Sequence, residues 1–504
     1  MRDDRTDPRD GIFDIAGMEK GLGRRAGRAS VVALGVGVLR GVLQIGSIAI
    51  IARLIPPADY GIYAMALPAV TIGMALSNLG LPQAIVQHRT ITHLHVSALF
   101  WLNLGLAALI AGLLYAFAGP MSAWYGDDRV MPVLQVISLS LLFSATSGQY
   151  ISILRRRLRI RETEFLTLAA EILGLAVAIA GALNGLSYWA LVLQHLVTPL
   201  LRTVFMAVRC RWLPSGPQHV RLGDALQSLR FGGYLAAASI VARLTGYMGT
   251  VIAGALFASA AAGLFYRARN IAVLAPHRVT DPLSGVFTST LSRLQDDADG
   301  FRTMFVRLVS RSNLAILPVA VFVAAGSAPL VDLLMGQDWS EAAPLLFWLS
   351  LFTFRQGGST GLQNALVACG RTGALFGFNV ARMVLLALVM VTGAQLGGVL
   401  TMTIAYTLCE LVVTLPLMVA VAGRTTPVTL RTFMAGSGTD ILLALGLAGG
   451  LAFGLMPRLA GQPAIVQLAV LGAAVGLVYA LRIALSPALR GDVLRVLRNV
   501  LGRG

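Results

Sequence analysis

Long apolar segments recur along the whole chain, and they constrain its fold more than any other feature of the sequence. A helix that crosses the ~30 Å hydrocarbon core of a bilayer needs about 20 mostly apolar residues. About fourteen such runs are present, at 29–54, 60–79, 94–118, 131–154, 163–183, 186–208, 230–255, 258–283, 303–325, 343–368, 372–393, 396–422, 439–456 and 463–485. The sequence therefore predicts an all-α polytopic membrane protein.

The low content of charged residues argues against a soluble protein. Only 12% of the 504 residues are charged, whereas about 25% is usual in soluble domains. A formal net charge of +17 would otherwise suggest nucleic acid, but the arginines alternate with the apolar runs. We therefore expect no nucleic-acid partner.

The sequence offers no pattern for a metal or a cofactor. The cysteines Cys210, Cys369 and Cys409 are scattered, without the spacing of a metal site. A phosphate-binding glycine-rich motif is absent as well, which excludes ATP hydrolysis by this chain. His88, His93 and His95 are spaced like metal ligands, but we expect them in a solvated polar loop.

The positions of the arginines predict the orientation of the chain. Loops on the side of the N-terminus hold most of them, whereas the opposite loops are mainly acidic and include Asp127 and Asp338. Arginine-rich loops stay in the cytoplasm, so we expect both termini there. The N-terminal tail contains an alternative start, Met18.

A run of arginines predicts a cationic patch on the cytoplasmic side. The run consists of Arg155, Arg156, Arg157, Arg159 and Arg161. Topology and attraction to anionic lipids, at ~1 kcal/mol per residue near the surface, account for it sufficiently. Capture of a diphosphate headgroup is the alternative interpretation.

An internal repeat divides the predicted helices into two lobes. A shift of 202 residues aligns 52–63 with 254–265, so that Gly61 matches Gly263. Parallel repeats are typical of transporters, with the substrate site at their interface; chance similarity between apolar segments is the alternative. Equivalent turns at Pro57 and Ser259 should then approach each other. We predict a tail (1–28), an N-lobe (29–208), a linker (209–229), a C-lobe (230–422), two accessory helices (439–485) and a basic tail (486–504).

Six arginines fall near the middle of predicted spans. They are Arg40, Arg243, Arg267, Arg269, Arg355 and Arg382, with Glu410 as the one acid expected at similar depth. Each would cost at least ~2.5–3.5 kcal/mol if it faced lipid. We predict that they bind an anionic substrate, with Glu410 as counter-ion or coupling residue; snorkelling or binding to backbone carbonyls is the alternative.

Two further arginines have simpler expected roles. Arg202 and Glu171, on adjacent spans, are expected to form a structural pair. Arg53 lies at a helix end, where we expect it to anchor at the interface or to pair with Asp59.

Three segments resemble a known family. They are AIIARLIPPADYGIYAMA, ILRRRLRIRETEF and LSRLQDDADGFRTMFVRLVSRSNLAILPVAVFVAAGSAPLVDLLMGQDWSEAAPLL. Over about residues 29–422 the chain resembles bacterial polysaccharide transporters of the oligosaccharide flippase superfamily, which includes O-antigen and exopolysaccharide flippases. The resemblance implies two helical lobes with a cationic cavity.

The resemblance also implies an activity. This activity is the export of undecaprenyl-diphosphate-linked oligosaccharide from the inner to the outer leaflet, for lipopolysaccharide or exopolysaccharide synthesis. Such a protein is not an enzyme; its partners would be the lipid-linked glycan, membrane lipids and the polysaccharide polymerase or export machinery.

Two other functions stay open at this point. A cation-coupled multidrug exporter of the same superfamily would be expected to line its cavity with acids. A membrane-embedded glycan polymerase or ligase would be expected to have a sizeable outer loop with functional residues. The embedded charge of this chain is mostly basic and its predicted outer loops are short, which favours the flippase.

Overall fold

The computed structural model describes residues 8–13, 22–78, 85, 91–217, 222–485 and 490–491. All regular elements in these residues are helices, as predicted. Met18, His88, Arg221, and most of both predicted tails lie outside the described residues, so the interpretations that depend on them are not addressed by the structure.

The chain divides into two compact units, Met1–Gly263 and Leu264–Gly504. The helices that begin in the first unit are α1 (Leu22–Leu54), α2 (Pro57–Asn78), α3 (His93–Ala116), α4 (Ala118–Tyr125), α5 (Val130–Ser138), α6 (Ser140–Arg156), α7 (Ile160–Leu183), α8 (Tyr188–Cys210) and α9 (Leu222–Ser292). Helix α9 therefore crosses from one unit to the other. The boundary between the two units lies inside α9, and the predicted division at the linker 209–229 stays a prediction.

The second unit contains the remaining helices and three turns of π-helix. The helices are α10 (Ala298–Ala325), α11 (Ser327–Met335), α12 (Ala342–Phe352), α13 (Gln356–Ala368), α14 (Thr372–Leu408), α15 (Leu415–Thr425), α16 (Leu430–Phe433), α17 (Thr439–Gly450) and α18 (Ala464–Leu485). The π-helical turns are Cys409–Thr414, Met434–Gly438 and Leu451–Leu455.

Eleven helical segments within the described residues are long and apolar enough to cross a membrane. Two of the eleven run through non-helical backbone, at Ala258 in α9 and at Gly397–Gly398 in α14. The run predicted at 343–368 is divided into α12, a short 3-10 turn and α13, and neither helix reaches spanning length alone. The total of about fourteen spans stays a prediction.

His93 does not lie in a solvated loop, which corrects the prediction. It is the first residue of α3 and is 0% exposed. Its Nδ1 accepts a hydrogen bond from Trp212 Nε1 at 2.9 Å, and its Nε2 is 2.8 Å from Ser215 Oγ. The backbone N–H of His93 donates to Asp10 Oδ1 at 2.5 Å. The side chain and the backbone of His93 together thus join the segment at Asp10 to the segment that follows α8.

The predicted cationic patch contains one buried member. Arg156 is 6% exposed and donates to two backbone carbonyl oxygens, from Nε to Phe13 at 3.0 Å and from Nη1 to Ile85 at 2.8 Å. Arg155 and Arg161 are exposed. Arg156 is therefore a structural residue, because its buried guanidinium donates to backbone carbonyl groups of two other segments.

Two acidic residues form another polar group: Asp127 lies just before α5, and Asp59 lies in the first turn of α2. Arg129 donates to both carboxylate oxygens of Asp127, at 2.9 and 2.8 Å, and this hydrogen bond lowers the pKa of Asp127 despite partial burial. Asp59 is 3.7 Å from Arg129 and accepts the hydroxyl of Ser187. The structure therefore shows Arg129 and Ser187 as partners of Asp59, and the pairing of Arg53 with Asp59 stays a prediction.

A buried polar group connects the accessory helices to α10. Asp440 at the start of α17 pairs with Arg482 of α18. Asn313 of α10 donates to Asp440 Oδ2 at 3.3 Å and to Ser437 Oγ at 3.0 Å. These contacts join α17 and α18 to the helix that runs through the core of the second unit.

Candidate functional site

Glu410 lies within the apolar helices of the second unit, on a turn of π-helix. This turn, Cys409–Thr414, separates α14 from α15, and Glu410 is 0% exposed. Thr414 donates its hydroxyl to Glu410 Oε2 at 2.6 Å and lies 2.9 Å from the Glu410 carbonyl oxygen. Single π-helical turns are rare and occur frequently at functional sites, which makes Glu410 a candidate functional residue.

Two arginines bind the Glu410 carboxylate from different elements. Arg355, in the 3-10 turn between α12 and α13, is 2.8 Å from Oε2 through its Nη2. Arg382 of α14 donates from Nε to Oε2 at 3.2 Å and from Nη2 to Oε1. The side chain of Arg355 is 6% exposed and that of Arg382 is 19% exposed. Arg382 is therefore the more accessible of the two.

Tyr406, one turn before Glu410, connects this group to a third arginine. Tyr406 is buried and lies within electrostatic range of Glu410, Arg355, Arg382 and Arg269. We define Arg269, Arg355, Arg382 and Glu410 as the C-terminal arginine cluster. Two guanidinium groups contact the one carboxylate and the third, of Arg269, lies near Tyr406, so these four charged residues sum to a formal charge of about +2. The fourth predicted arginine of this unit, Arg267, is buried on α9.

Arg355 has one nitrogen atom that the described residues leave unsatisfied. Its Nη1 donates to Ser359 Oγ at 2.9 Å, but its Nε is buried without a hydrogen-bond partner. An unsatisfied buried donor costs about 1–3 kcal/mol, and more when it is charged. Unsatisfied donor and excess positive charge are both features that an anionic group would compensate.

Sequence reasoning did not identify the polar residues that support this cluster. Ser359 follows Arg355 by four residues, and Tyr406 and Thr414 lie four residues before and after Glu410. Side chains four apart meet on one face of a helix. A search at this spacing from each embedded charge would have found all three.

Arg40 is paired with two acids that the sequence analysis did not assign to it. Arg40 of α1 donates from Nε to Glu171 at 2.8 Å and from Nη2 to Glu164 at 3.4 Å. The two acids are seven residues apart, or two turns on the same face of α7. Glu171 was predicted to pair with Arg202. It instead binds Arg40 directly, while Arg202 lies within electrostatic range of both Glu171 and Arg40.

Arg243 differs from Arg40, although the repeat places the two at similar positions. It lies on α9 and is exposed. No ion pair joins it to an acid within the described residues. The structure thus separates the predicted pair into an arginine held by two carboxylates and an arginine that is available to a ligand.

The turns that the repeat predicts to approach each other are in contact. A Cβ atom on Gly61 would overlap the carbonyl oxygen of Ser259, and one on Gly263 would overlap that of Pro57. Under the 202-residue shift, Pro57 corresponds to Ser259 and Gly61 to Gly263. The contact is therefore reciprocal, as at a twofold axis, and it supports the internal repeat. Ala258, beside it, has a φ of 70°.

Comparison with known proteins identifies relatives over much of the chain. A family model described as "Polysaccharide biosynthesis protein" matches residues 50–344. The lipopolysaccharide biosynthesis protein WzxC of Escherichia coli (strain K12) is 23% identical over 391 residues, which cover 77% of this chain and 77% of WzxC.

Solved structures with the same fold are transporters. Lipid II flippase MurJ, in an inward closed conformation, has a TM-score of 0.67 and 12% identity, covering 90% of this chain and 97% of that chain. A multidrug resistance MATE family transporter of the MOP superfamily, inward-facing, has a TM-score of 0.56 and 12% identity, covering 84% and 99%. At such identities the similarity shows the fold alone.

Proposed function

Because this chain belongs to the polysaccharide biosynthesis protein family, we propose that it flips a lipid-linked oligosaccharide across a bacterial inner membrane. The substrate is an oligosaccharide on undecaprenyl diphosphate, carried from the inner to the outer leaflet for the synthesis of lipopolysaccharide or exopolysaccharide. Two similar proteins support this assignment: WzxC is a lipopolysaccharide biosynthesis protein and MurJ is a lipid II flippase.

The observation that carries the proposal is the excess of positive charge among membrane-embedded residues. In the C-terminal arginine cluster, Glu410 neutralises only one of three guanidinium groups. Guanidinium groups bind phosphate oxygens in a bidentate manner. We assign binding of the diphosphate to Arg243 and to the arginines of this cluster. Arg267 is assigned to the lining of the substrate path.

Alternating access is the mechanism that we infer for transport. Reciprocal contact between Pro57–Gly61 and Ser259–Gly263 provides a place where the path can be closed at one end. The membrane potential is negative inside, so outward movement of an anionic headgroup is favourable by ~2.3 kcal/mol per charge per 100 mV. Transport in this direction therefore does not require ATP.

A multidrug exporter is the second candidate, because the MATE transporter shares the fold. Cationic drugs would be attracted by embedded acids that are free of arginine. In this chain, Glu410, Glu171 and Glu164 are each within 4 Å of an arginine. This pairing favours an anionic substrate.

Deletion of the gene, followed by leaflet-resolved measurement of lipid-linked glycan, tests the proposed function. We expect the glycan to accumulate in the inner leaflet and to disappear from the outer one, with recovery when the wild-type gene is restored. Unchanged outer-leaflet glycan would contradict the flippase assignment. A changed sensitivity to cationic drugs, without any change in glycan, would favour the exporter.

The orientation is tested by cysteine labelling in a variant whose three native cysteines are replaced by alanine. Arg161 and Asp338 are both exposed, so each can be replaced by cysteine without disturbing a core. With an impermeant reagent applied to intact cells, we expect labelling at position 338 and none at position 161. The reverse pattern would invert the proposed topology.

A further inference from the structure

We propose that Glu410 is a tethered competitor of the substrate, which occupies Arg382 until a doubly charged phosphate group displaces it. This inference rests on the proposed function and concerns how the same site is loaded. Displacement frees Arg382 for the ligand, while Glu410 stays bound to Arg355. The chemical class of the ligand is a diphosphate.

The two arginines are held unequally, and the difference indicates which one is released. Arg355 has a second side-chain partner in Ser359 and is nearly inaccessible. Arg382 is more exposed, and within the described residues its hydrogen bonds are all to Glu410. An incoming anion therefore meets Arg382 first.

Glu410 does not become unpaired when Arg382 leaves. Its Oε2 also contacts Arg355 at 2.8 Å and accepts the Thr414 hydroxyl at 2.6 Å. A buried carboxylate without partners costs several kcal/mol, and these two remaining contacts avoid most of that cost. The contacts that are lost are the hydrogen bond from Arg382 Nη2 to Oε1 and the one from Arg382 Nε to Oε2 at 3.2 Å.

Charge selects the ligand that can make this exchange. A singly charged anion offers Arg382 little more than the carboxylate that it replaces. A diphosphate carries at least two charges, which match the excess of two on the C-terminal arginine cluster, and its oxygens fit the planar guanidinium fork. Neutral and zwitterionic headgroups lack this advantage, so the competitor keeps them from Arg382.

Binding of inorganic pyrophosphate to the purified full-length protein in detergent tests the proposal. The measurement is the rise of the thermal unfolding midpoint with pyrophosphate, compared with sodium chloride at equal ionic strength. We expect Glu410→Gln to bind pyrophosphate about tenfold more tightly than the wild type. The double variant Arg382→Ala, Glu410→Gln should lose this gain.

Asp440→Asn is the matched control. Asp440 is also buried and paired with an arginine, Arg482, but it lies outside the C-terminal arginine cluster. We expect its pyrophosphate affinity to equal that of the wild type. A comparable gain in Asp440→Asn would show a general charge effect and would overturn the proposal, as would a folded Glu410→Gln protein with unchanged or weaker binding.

If Glu410→Gln does not fold, pyrophosphate binding to the Thr414→Val variant tests the same proposal. Loss of the hydroxyl keeps the charge of Glu410 and removes one of the groups that share Oε2 with Arg382. Because Thr414 withdraws Oε2 from Arg382, its removal should strengthen the carboxylate's hold on Arg382 and weaken pyrophosphate binding. Unchanged or tighter binding in Thr414→Val would count against the competitor.

Farnesyl diphosphate distinguishes the sources of the diphosphate. Tighter binding than that of pyrophosphate identifies a lipid-linked headgroup, and the reverse identifies the free anion; a competitor operates in both cases. This readout involves no glycan export. If the affinity gain appears but deletion of the gene leaves glycan in both leaflets unchanged, the proposed function fails and the competitor stands.

Discussion

Substitution of Gly61 or Gly263 by alanine is expected to reduce glycan export at least about tenfold, with the protein still present in the membrane. At both positions a Cβ atom would overlap a backbone carbonyl oxygen, of Ser259 or of Pro57. A backbone atom cannot move aside by changing rotamer, so the two chain segments must separate, at a typical cost of 1–3 kcal/mol. A closure that depends on this contact should then leak or fail to form.

Leaflet-resolved glycan assay and thiol accessibility measure this effect together. Met65 is 0% exposed, and its side chain packs against Gly254 beside the contact. In a Met65→Cys background, labelling by an impermeant reagent should rise when Gly61 is replaced by alanine. Gly105 and Gly112 of α3 have open space around the position of a Cβ atom, so their alanine variants serve as controls and should export normally.

Because the contact is reciprocal, the double alanine variant of Gly61 and Gly263 also has an expected result. Alanine at position 61 and alanine at position 263 would separate the same pair of segments. The double alanine variant should therefore export hardly less glycan than either single variant. Normal export by both single variants would remove the proposed closing role from this contact. Additive losses would mean that the two glycines act at independent places.

The sequence predicted the helical segments well because apolar length is a local property. It also placed ends within two continuous apolar runs, at 255–258 and 393–396, and the structure has non-helical backbone within a few residues of both. In α14 the helical run is interrupted at Gly397–Gly398, where Gly398 has a φ of 83°, a value that favours glycine. At Ala258 a non-glycine residue adopts a φ of 70°, and no sequence rule predicts this.

The arginines show where reasoning from depth alone fails. Depth identified Arg355, Arg382 and Glu410 as embedded residues, and the structure brings them into contact. The same reasoning overlooked Glu164 and Glu171 as partners of Arg40, because they lie nearer the end of their span. A long arginine side chain reaches acids on another helix at a different depth, so pairing depends on tertiary packing that the sequence does not show.

Histidine 93 illustrates the same limit for polar loops. Its neighbours in sequence are polar, which suggested solvent exposure. Its partners, Trp212, Ser215 and Asp10, are distant in sequence and come together only in the folded first unit. A helix that begins at a polar turn can thus bury its first side chain when other segments cover it.

Replacement of Arg243 by alanine or glutamine is expected to abolish export at normal protein abundance, whereas Arg243→Lys should keep part of the activity. Arg243 is exposed and makes no ion pair with an acid within the described residues, so its loss leaves no buried charge uncompensated. Lysine preserves the charge but not the bidentate fork that binds phosphate oxygens. Export per unit of membrane protein is the quantity to measure.

Arg40→Ala should behave differently and provides the comparison. It would leave the partly buried Glu164 and Glu171 without the guanidinium that contacts both, and loss of one partner of such an ion pair destabilises the fold. Abundance should therefore fall in step with export, and Arg40→Met combined with Glu171→Gln and Glu164→Gln should restore abundance. If Arg243→Ala exports normally, or if it loses activity only as it loses protein, Arg243 does not bind the diphosphate. Normal abundance of Arg40→Ala with no export would instead return Arg40 to the substrate site, because a purely structural arginine cannot be lost without loss of protein.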